Sequence, residues 1–227
     1  MSLDWYVRRR YSLLLLTLIL LFIVHPLLRQ LEFGQWLYDL LVTLVFLAAL
    51  VILFQGKRHR LAVVLLGPPT IIANWTGYVL PGLPAAPIAL SFHLLAALFL
   101  AVAVAATLHS IYVARAVTGD SLAGALGGYL LAGVVFSHLY CALEIVSPRS
   151  FRVPDDMVPL LAIPGQRPYV FNYYSFVTLT SVGYGDILPT TQPARSLSCV
   201  EAVVGQFYMA TVIAGLVGVR VSQRELG

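Results

Sequence analysis

Charge is what this chain has least of. Only 11% of its 227 residues are charged and 59% are hydrophobic, whereas a water-soluble domain carries about 25% charged residues. With a mean hydropathy of +0.87, a soluble globular enzyme or binding module is excluded. Cysteine is nearly absent too. Cys141 and Cys199 both fall in apolar stretches with no CxxC or Cys/His spacing, so they read as two buried thiols rather than a disulfide or a metal site. No GxSxG or HExxH is found and the five histidines are scattered, which leaves no catalytic constellation. A short apolar leader with a small-residue cleavage site is also missing. "RRRYSLLLLTLILLFIV" runs straight into a full-length apolar span and is expected to stay as a first helix.

The residues present divide into apolar stretches of membrane-spanning length, roughly 20 residues each. Six candidates fall at about 11–28, 37–55, 61–80, 88–114, 121–145 and 194–219. In the third, Gly67, Pro68 and Pro69 predict a kink or a break, with neighbouring helices satisfying the freed carbonyls. The net charge of +4 is no nucleic-acid signal, because the basic residues flank spans instead of forming a stripe. Nine of the fourteen Lys and Arg (Arg8, Arg9, Arg10, Lys57, Arg58, Arg60, Arg115, Arg220 and Arg224) lie on one side if the N-terminus is cytoplasmic. Arg29, Arg149, Arg152, Arg167 and Arg195 fall outside, and the uncharged "GYVLPGLPAAP" belongs there as well. Both termini are therefore expected in the cytoplasm and the chain in the plasma (inner) membrane, contacting lipid.

The fifth and sixth spans are joined by a long connection, Ser147 to Pro193. Its first part, "SPRSFRVPDDMVPLLAIPGQRP", has five prolines and reads as an irregular outer cap; "YVFNYYSFVTLTSV" has none and can form a short helix. Then comes "TLTSVGYGD", a polar run at membrane depth. Irregular backbone survives there only where protein buries it or where it lines a water-filled path. If Ser181 to Gly185 form an extended strand alternating between right- and left-handed backbone, successive carbonyls can face one side. Gly183 and Gly185 make the left-handed positions inexpensive. Several such strands around an axis stack oxygen cages that replace the hydration shell of a monovalent cation.

"TLTSVGYGD" resembles the potassium-channel signature, whose filter carbonyls substitute for water around the ion. The likeness extends from 119 to 221: "YYSFVTLTSVGYGDILP" is similar to that family's pore helix, filter and outer mouth, and "RSLSCVEAVVGQFYMATVIAGLVG" to its inner helix. It implies an all-α polytopic fold of six transmembrane helices, with a re-entrant pore helix and filter loop before the last. Residues 1–118 then make a four-helix domain and 119–227 a pore domain (outer helix 121–145, outer cap 147–169, pore helix 171–181, filter 181–185, inner helix 194–219). A closed cage needs four strands and the chain has one signature, so a homotetramer is implied.

The resemblance also assigns residues. Carbonyls of Ser181, Val182, Gly183 and Tyr184, up to Gly185, would bind K+, the permeant ion, and no other cofactor is expected. The Ser181 hydroxyl would complete the innermost site; where many members carry threonine, the rotamer-restraining methyl is missing, and altered occupancy of that site is expected. Tyr173 and Tyr174 would brace the filter, with Thr178 and Thr180 beside them. Asp186 would tie the outer mouth to the pore helix, and Val177 stands where some members have its carboxylate partner. In the inner helix, Gly205 is a hinge or a close contact, and Gln206, Met209, Ile213 and Val217 would face the axis. Glu201, a carboxylate within a span, is expected to be functional or bracing: protonated or hydrogen-bonded behind the filter to a Thr or Tyr of the pore helix, or a pH-sensitive gating element.

Gly124, Gly128 and Ala132 form a small-residue stripe on the fifth span, Ala97, Ala101 and Ala105 another on the fourth. His138 receives no role. Voltage-gated relatives depend on arginines at every third position of the fourth helix, each charge being worth about 2.3 kcal/mol per 100 mV. Here that span has Arg115 alone, at its end, so steep voltage sensing is not expected. Nine residues follow Gly218, so a nucleotide- or calcium-binding regulatory domain is not expected there, and any regulatory ligand is expected to act on the membrane region, the outer cap or another subunit. The first reading is a potassium-selective channel. A weakly selective cation pore and a non-conducting regulatory subunit stand as alternatives.

Overall fold

The computed structural model describes residues 9–28, 33–54, 60–79, 85–113, 118–163 and 166–225. Arg8, Arg29, Lys57, Arg58 and Arg115, which enter the expected topology, lie outside them. In chain order the helices are α1 (Arg10–Leu28), α2 (Gly34–Phe54), α3 (Arg60–Val79), α4 (Ala85–Val113) and α5 (Gly119–Val146). There follow β1 (Phe151–Arg152), α6 (Val158–Ala162), α7 (Arg167–Leu179), β2 (Leu188–Pro189) and α8 (Gln192–Phe207). A π-helical segment, Tyr208–Ile213, leads without a gap into α9 (Ala214–Glu225).

Among the described residues, four helices are long and apolar enough to cross a membrane: α2, α4, α5 and the final helix over Gln192–Val219. The apolar stretches in α1 and α3 are shorter, Arg10–Val24 and Val63–Thr76. The break expected in α3 does not occur. The helix runs through Pro68 and Pro69, and the hydroxyl of Thr70, the next residue, donates one turn back to the Leu66 carbonyl at 2.7 Å.

The spine of the molecule is α5. Thr118 caps it in extended backbone: its hydroxyl accepts from the Ser121 N–H at 3.1 Å while Ser121 Oγ accepts from the Thr118 N–H at 3.3 Å. Asp120, in the favourable first turn, accepts from both the N–H and the hydroxyl of Ser12 in α1. Leu131 and Val134 of α5 join the apolar core built by α1, α2 and α4. Phe136, Tyr140 and Cys141 join a second core with Phe151, Leu160, Phe171 and Ile187. A third, small cluster joins Ala125 to Ile111 of α4 and to Tyr208 and Val212.

Small residues on α5 allow these contacts, because a Cβ would collide. One on Gly124 would meet the Tyr11 ring at 2.9 Å, and one on Gly128 the Tyr208 hydroxyl at 2.5 Å. One on Gly133 would strike the Phe176 ring at 2.6 Å. That ring also meets Phe22 of α1 edge to face, centroids 4.7 Å apart.

Beyond α5 the cap is short and pinned. Arg149 turns the chain at φ +68°, its N–H donating to Glu144 Oε1 at 2.7 Å. β1 pairs antiparallel with β2, Phe151 opposite Pro189 and Arg152 opposite Leu188. The Thr190 N–H and hydroxyl donate to the carbonyls of Ser150 and Arg149 at 2.8 and 2.6 Å. The segment leaving the polar loop is thereby fixed to the end of α5.

Candidate functional site

The polar loop starts where α7 ends. α7 opens with a proline in its first turn, where the missing N–H costs nothing. It is helical over Arg167–Leu179, so it begins four residues earlier and stops two earlier than the pattern suggests. Its last carbonyls are claimed by the loop itself. The N–H groups of Val182 and Gly183 both donate to the Val177 carbonyl, at 3.0 and 3.3 Å, and that of Ser181 to Thr178 at 2.9 Å. Thr180 is exposed and its hydroxyl turns back to the Phe176 carbonyl at 2.6 Å.

Along the loop the backbone alternates in hand. Ser181, Gly183 and Gly185 have φ of +58°, +60° and +79°, while Val182 and Tyr184 between them are not left-handed. Glycine takes this conformation freely; for Ser181 it costs about 1–2 kcal/mol. Strain of this kind gathers at functional sites. Residues 181–186 are all exposed, Tyr184 at 70%. Among the described residues, no backbone hydrogen bond reaches the carbonyls of Ser181, Val182, Gly183 or Tyr184. A loop with the N–H groups of Ser181, Val182 and Gly183 bonded to the supporting helix and its carbonyls unclaimed offers oxygen ligands to a cation.

Two tyrosines flank it differently. Tyr173 stacks on Tyr184, planes 9° apart, and its hydroxyl donates to Asp186 Oδ2 at 2.6 Å. That bond holds the phenol up to about 12, so it stays a donor at neutral pH. Asp186 thus reaches α7 through Tyr173; Val177 contributes only its backbone carbonyl. Tyr174 is buried and meets Ser198 of α8 at 2.7 Å. Ser198 gives its own proton to the Ala194 carbonyl at 2.8 Å, so Tyr174 is the donor.

Glu201 is completely buried at the meeting of α5, α7 and α8. Its partners are the hydroxyls of Ser175 in α7 and Tyr140 in α5, not the pore-helix Thr or Tyr expected from sequence. Ser175 also lies 2.7 Å from the Gly133 carbonyl. A hydroxyl has one proton, and the carbonyl can only accept it. The pair to Glu201 therefore needs the proton on the acid, which donates to Ser175 Oγ and accepts from Tyr140. The resulting chain Glu201, Ser175, Gly133 clamps three helices with every polar atom matched.

Gly205 is buried, and a Cβ there would run into the carbonyl of Leu179, the last residue of α7. Close approach accounts for this glycine. Tyr129 of α5 donates to the same carbonyl at 3.3 Å. One residue on, the Gln206 amide donates to Ser181 Oγ at 2.9 Å.

Met209 and Val217 are exposed with Gln206, whereas Ile213 is half-buried against the Ile111, Ala125, Tyr208 and Val212 cluster. Ile213 closes the π segment, whose wider turn departs locally from regular helical spacing. Tyr208 anchors its start, donating to the Ala125 carbonyl at 2.7 Å. No proline or glycine lies within "YMATVI", so the sequence carried no signal for it. The buried pair His93 and His138, Nδ1 to Nδ1 2.9 Å, likewise became visible only when α4 met α5.

Residues 168–220, which hold α7, the loop and most of the final helix, match a family model described as "Ion channel". No curated protein and no solved structure matches the chain.

Proposed function

Starting from residues 168–220 as an ion channel pore domain in a multi-pass membrane protein, we propose a potassium-selective channel that conducts K+ passively across the plasma membrane. The observation that carries this reading is the alternation of backbone hand at Ser181, Gly183 and Gly185, with four unclaimed carbonyls along the strand. Strands of this form, four around an axis, give oxygen cages that replace the water shell of a monovalent ion. The C-terminus of α7 meets the strand and contributes partial negative charge that favours a cation.

A single copy supplies one wall of such a cage. The face of the final helix away from α5 and α7 is apolar and uncovered, Val200 at 54% and Phe207 at 65% exposure, which supports closure by further copies in a homotetramer. The 19 residues of α1 and the 20 of α3 reach about 30 Å at 1.5 Å per residue, supporting six spans and so termini on one side, which the basic residues make the cytoplasmic one. α4 contains no lysine or arginine over Ala85–Val113, which supports weak voltage dependence. In this reading Tyr173, Tyr174, Val177, Thr178, Thr180 and Asp186 support the filter, and Glu201, Gly205, Gln206, Met209, Ile213 and Val217 shape the cavity and gate.

Reversal potentials of the full chain in liposomes under opposed K+ and Na+ gradients test the reading. A shift toward the K+ equilibrium potential is expected. A potential midway between the two ions would mean a weakly selective pore, and electrically silent homotetramers a regulatory subunit.

A further inference from the structure

Resting on the potassium-pore reading, we infer that Gln206 sets the affinity of the innermost cation site by occupying the Ser181 hydroxyl. Three observations converge. The Gln206 amide donates to Ser181 Oγ at 2.9 Å. Ser181 is held at φ +58°, with its N–H tied to the Thr178 carbonyl, so its side chain leaves from a fixed backbone. Gly205, the residue before Gln206, lies directly against the Leu179 carbonyl, which fixes the glutamine's own starting point two residues from the serine.

A serine hydroxyl has two lone pairs and one proton. The amide proton takes one lone pair. An ion at the foot of the strand is left with the other, beside an N–H dipole whose positive end points toward it. Four copies repeat the arrangement around one site. The site is therefore weaker than a free hydroxyl ring would make it, and a pore needs an exit site from which the ion can leave.

The probe is Ba2+, whose size is close to that of K+ and whose double charge magnifies changes at an oxygen site. It is applied from the cavity side to the full chain in liposomes. Loss of one neutral hydrogen bond, about 1 kcal/mol, corresponds to roughly fivefold in affinity, so Gln206→Leu is expected to tighten block about fivefold or more. Gln206→Asn keeps the amide but is one methylene too short; it is expected to tighten block similarly and carries the test if the leucine variant fails to assemble. In a Ser181→Ala background, Gln206→Leu should then have no further effect. Unchanged block in both Gln206 variants, or additive effects of the Ser181 and Gln206 changes, overturns the inference and leaves the potassium reading standing. A wild-type chain without K+-directed reversal overturns that reading, and the inference with it.

Discussion

At the scale of single residues, the strand from Ser181 to Gly185 was legible because its chemistry is local. Alternating glycines permit alternating hand whatever surrounds them, and that is the backbone found. Ser181 is informative in the same way. A β-branched residue at φ +58° is a conformational outlier, so the methyl absent here removes strain as well as a rotamer restraint. Glu201 was legible as unusual but not in its partners. Which hydroxyls face it depends on how α5 and α7 present Tyr140 and Ser175, and no local pattern carries that. The proton count makes a sharp forecast. Glu201→Gln keeps a donor for Ser175 and an acceptor for Tyr140, so its thermal unfolding in detergent should lie within about 0.5 kcal/mol of wild type. Glu201→Leu leaves the Tyr140 hydroxyl buried without a partner and should cost about 1–3 kcal/mol. A glutamine variant as damaged as the leucine one would mean that the buried acid is ionised.

Elements were legible where periodicity and length decide, as for the long apolar α2, α4 and α5, and illegible where one turn departs from the pattern. In α3 the prolines pointed to a kink or a break; there is no break, the helix continuing through them with Thr70 bonding back to Leu66. In the final helix nothing in "YMATVI" announces a π turn, and Ile213 at its end packs partly against Ile111, Ala125, Tyr208 and Val212. Gly205 was open between hinge and close contact. Its approach to the Leu179 carbonyl ties the final helix to the base of the loop that alternates in hand, so Gly205→Ala forces a side chain against backbone. Overpacking of this sort costs about 1–3 kcal/mol or more. The expected outcome is a lower melting temperature together with lost K+ flux in liposomes. A hinge would behave otherwise: alanine would preserve stability and change only the open fraction.

For the whole molecule, the sequence divided the chain near residue 118 but was silent on how the halves meet, because that joint is made of ordinary residues brought together by folding. α1 lies along α5, Ser12 bonding Asp120 at one end, while Phe22 reaches Phe176 in α7 further along. α4 meets α5 through His93 and His138, both buried. Through α1 and α4 the N-terminal half thus touches α5 directly, and through α1 it also reaches α7. The histidine pair offers a clean measure of that joint. With Nδ1 facing Nδ1 at 2.9 Å, one ring must donate and the other accept. Replacing either one by leucine strands the remaining nitrogen in an apolar interior and should cost about 1–3 kcal/mol. Replacing both removes the demand for a partner, so the double variant should be more stable than the sum of the singles by about 0.5–3 kcal/mol, the range for residues in contact. The full double-mutant cycle, read by thermal unfolding of the protein in detergent, checks this. Strict additivity would mean that the two rings do not share a proton and that the halves are joined through α1 instead.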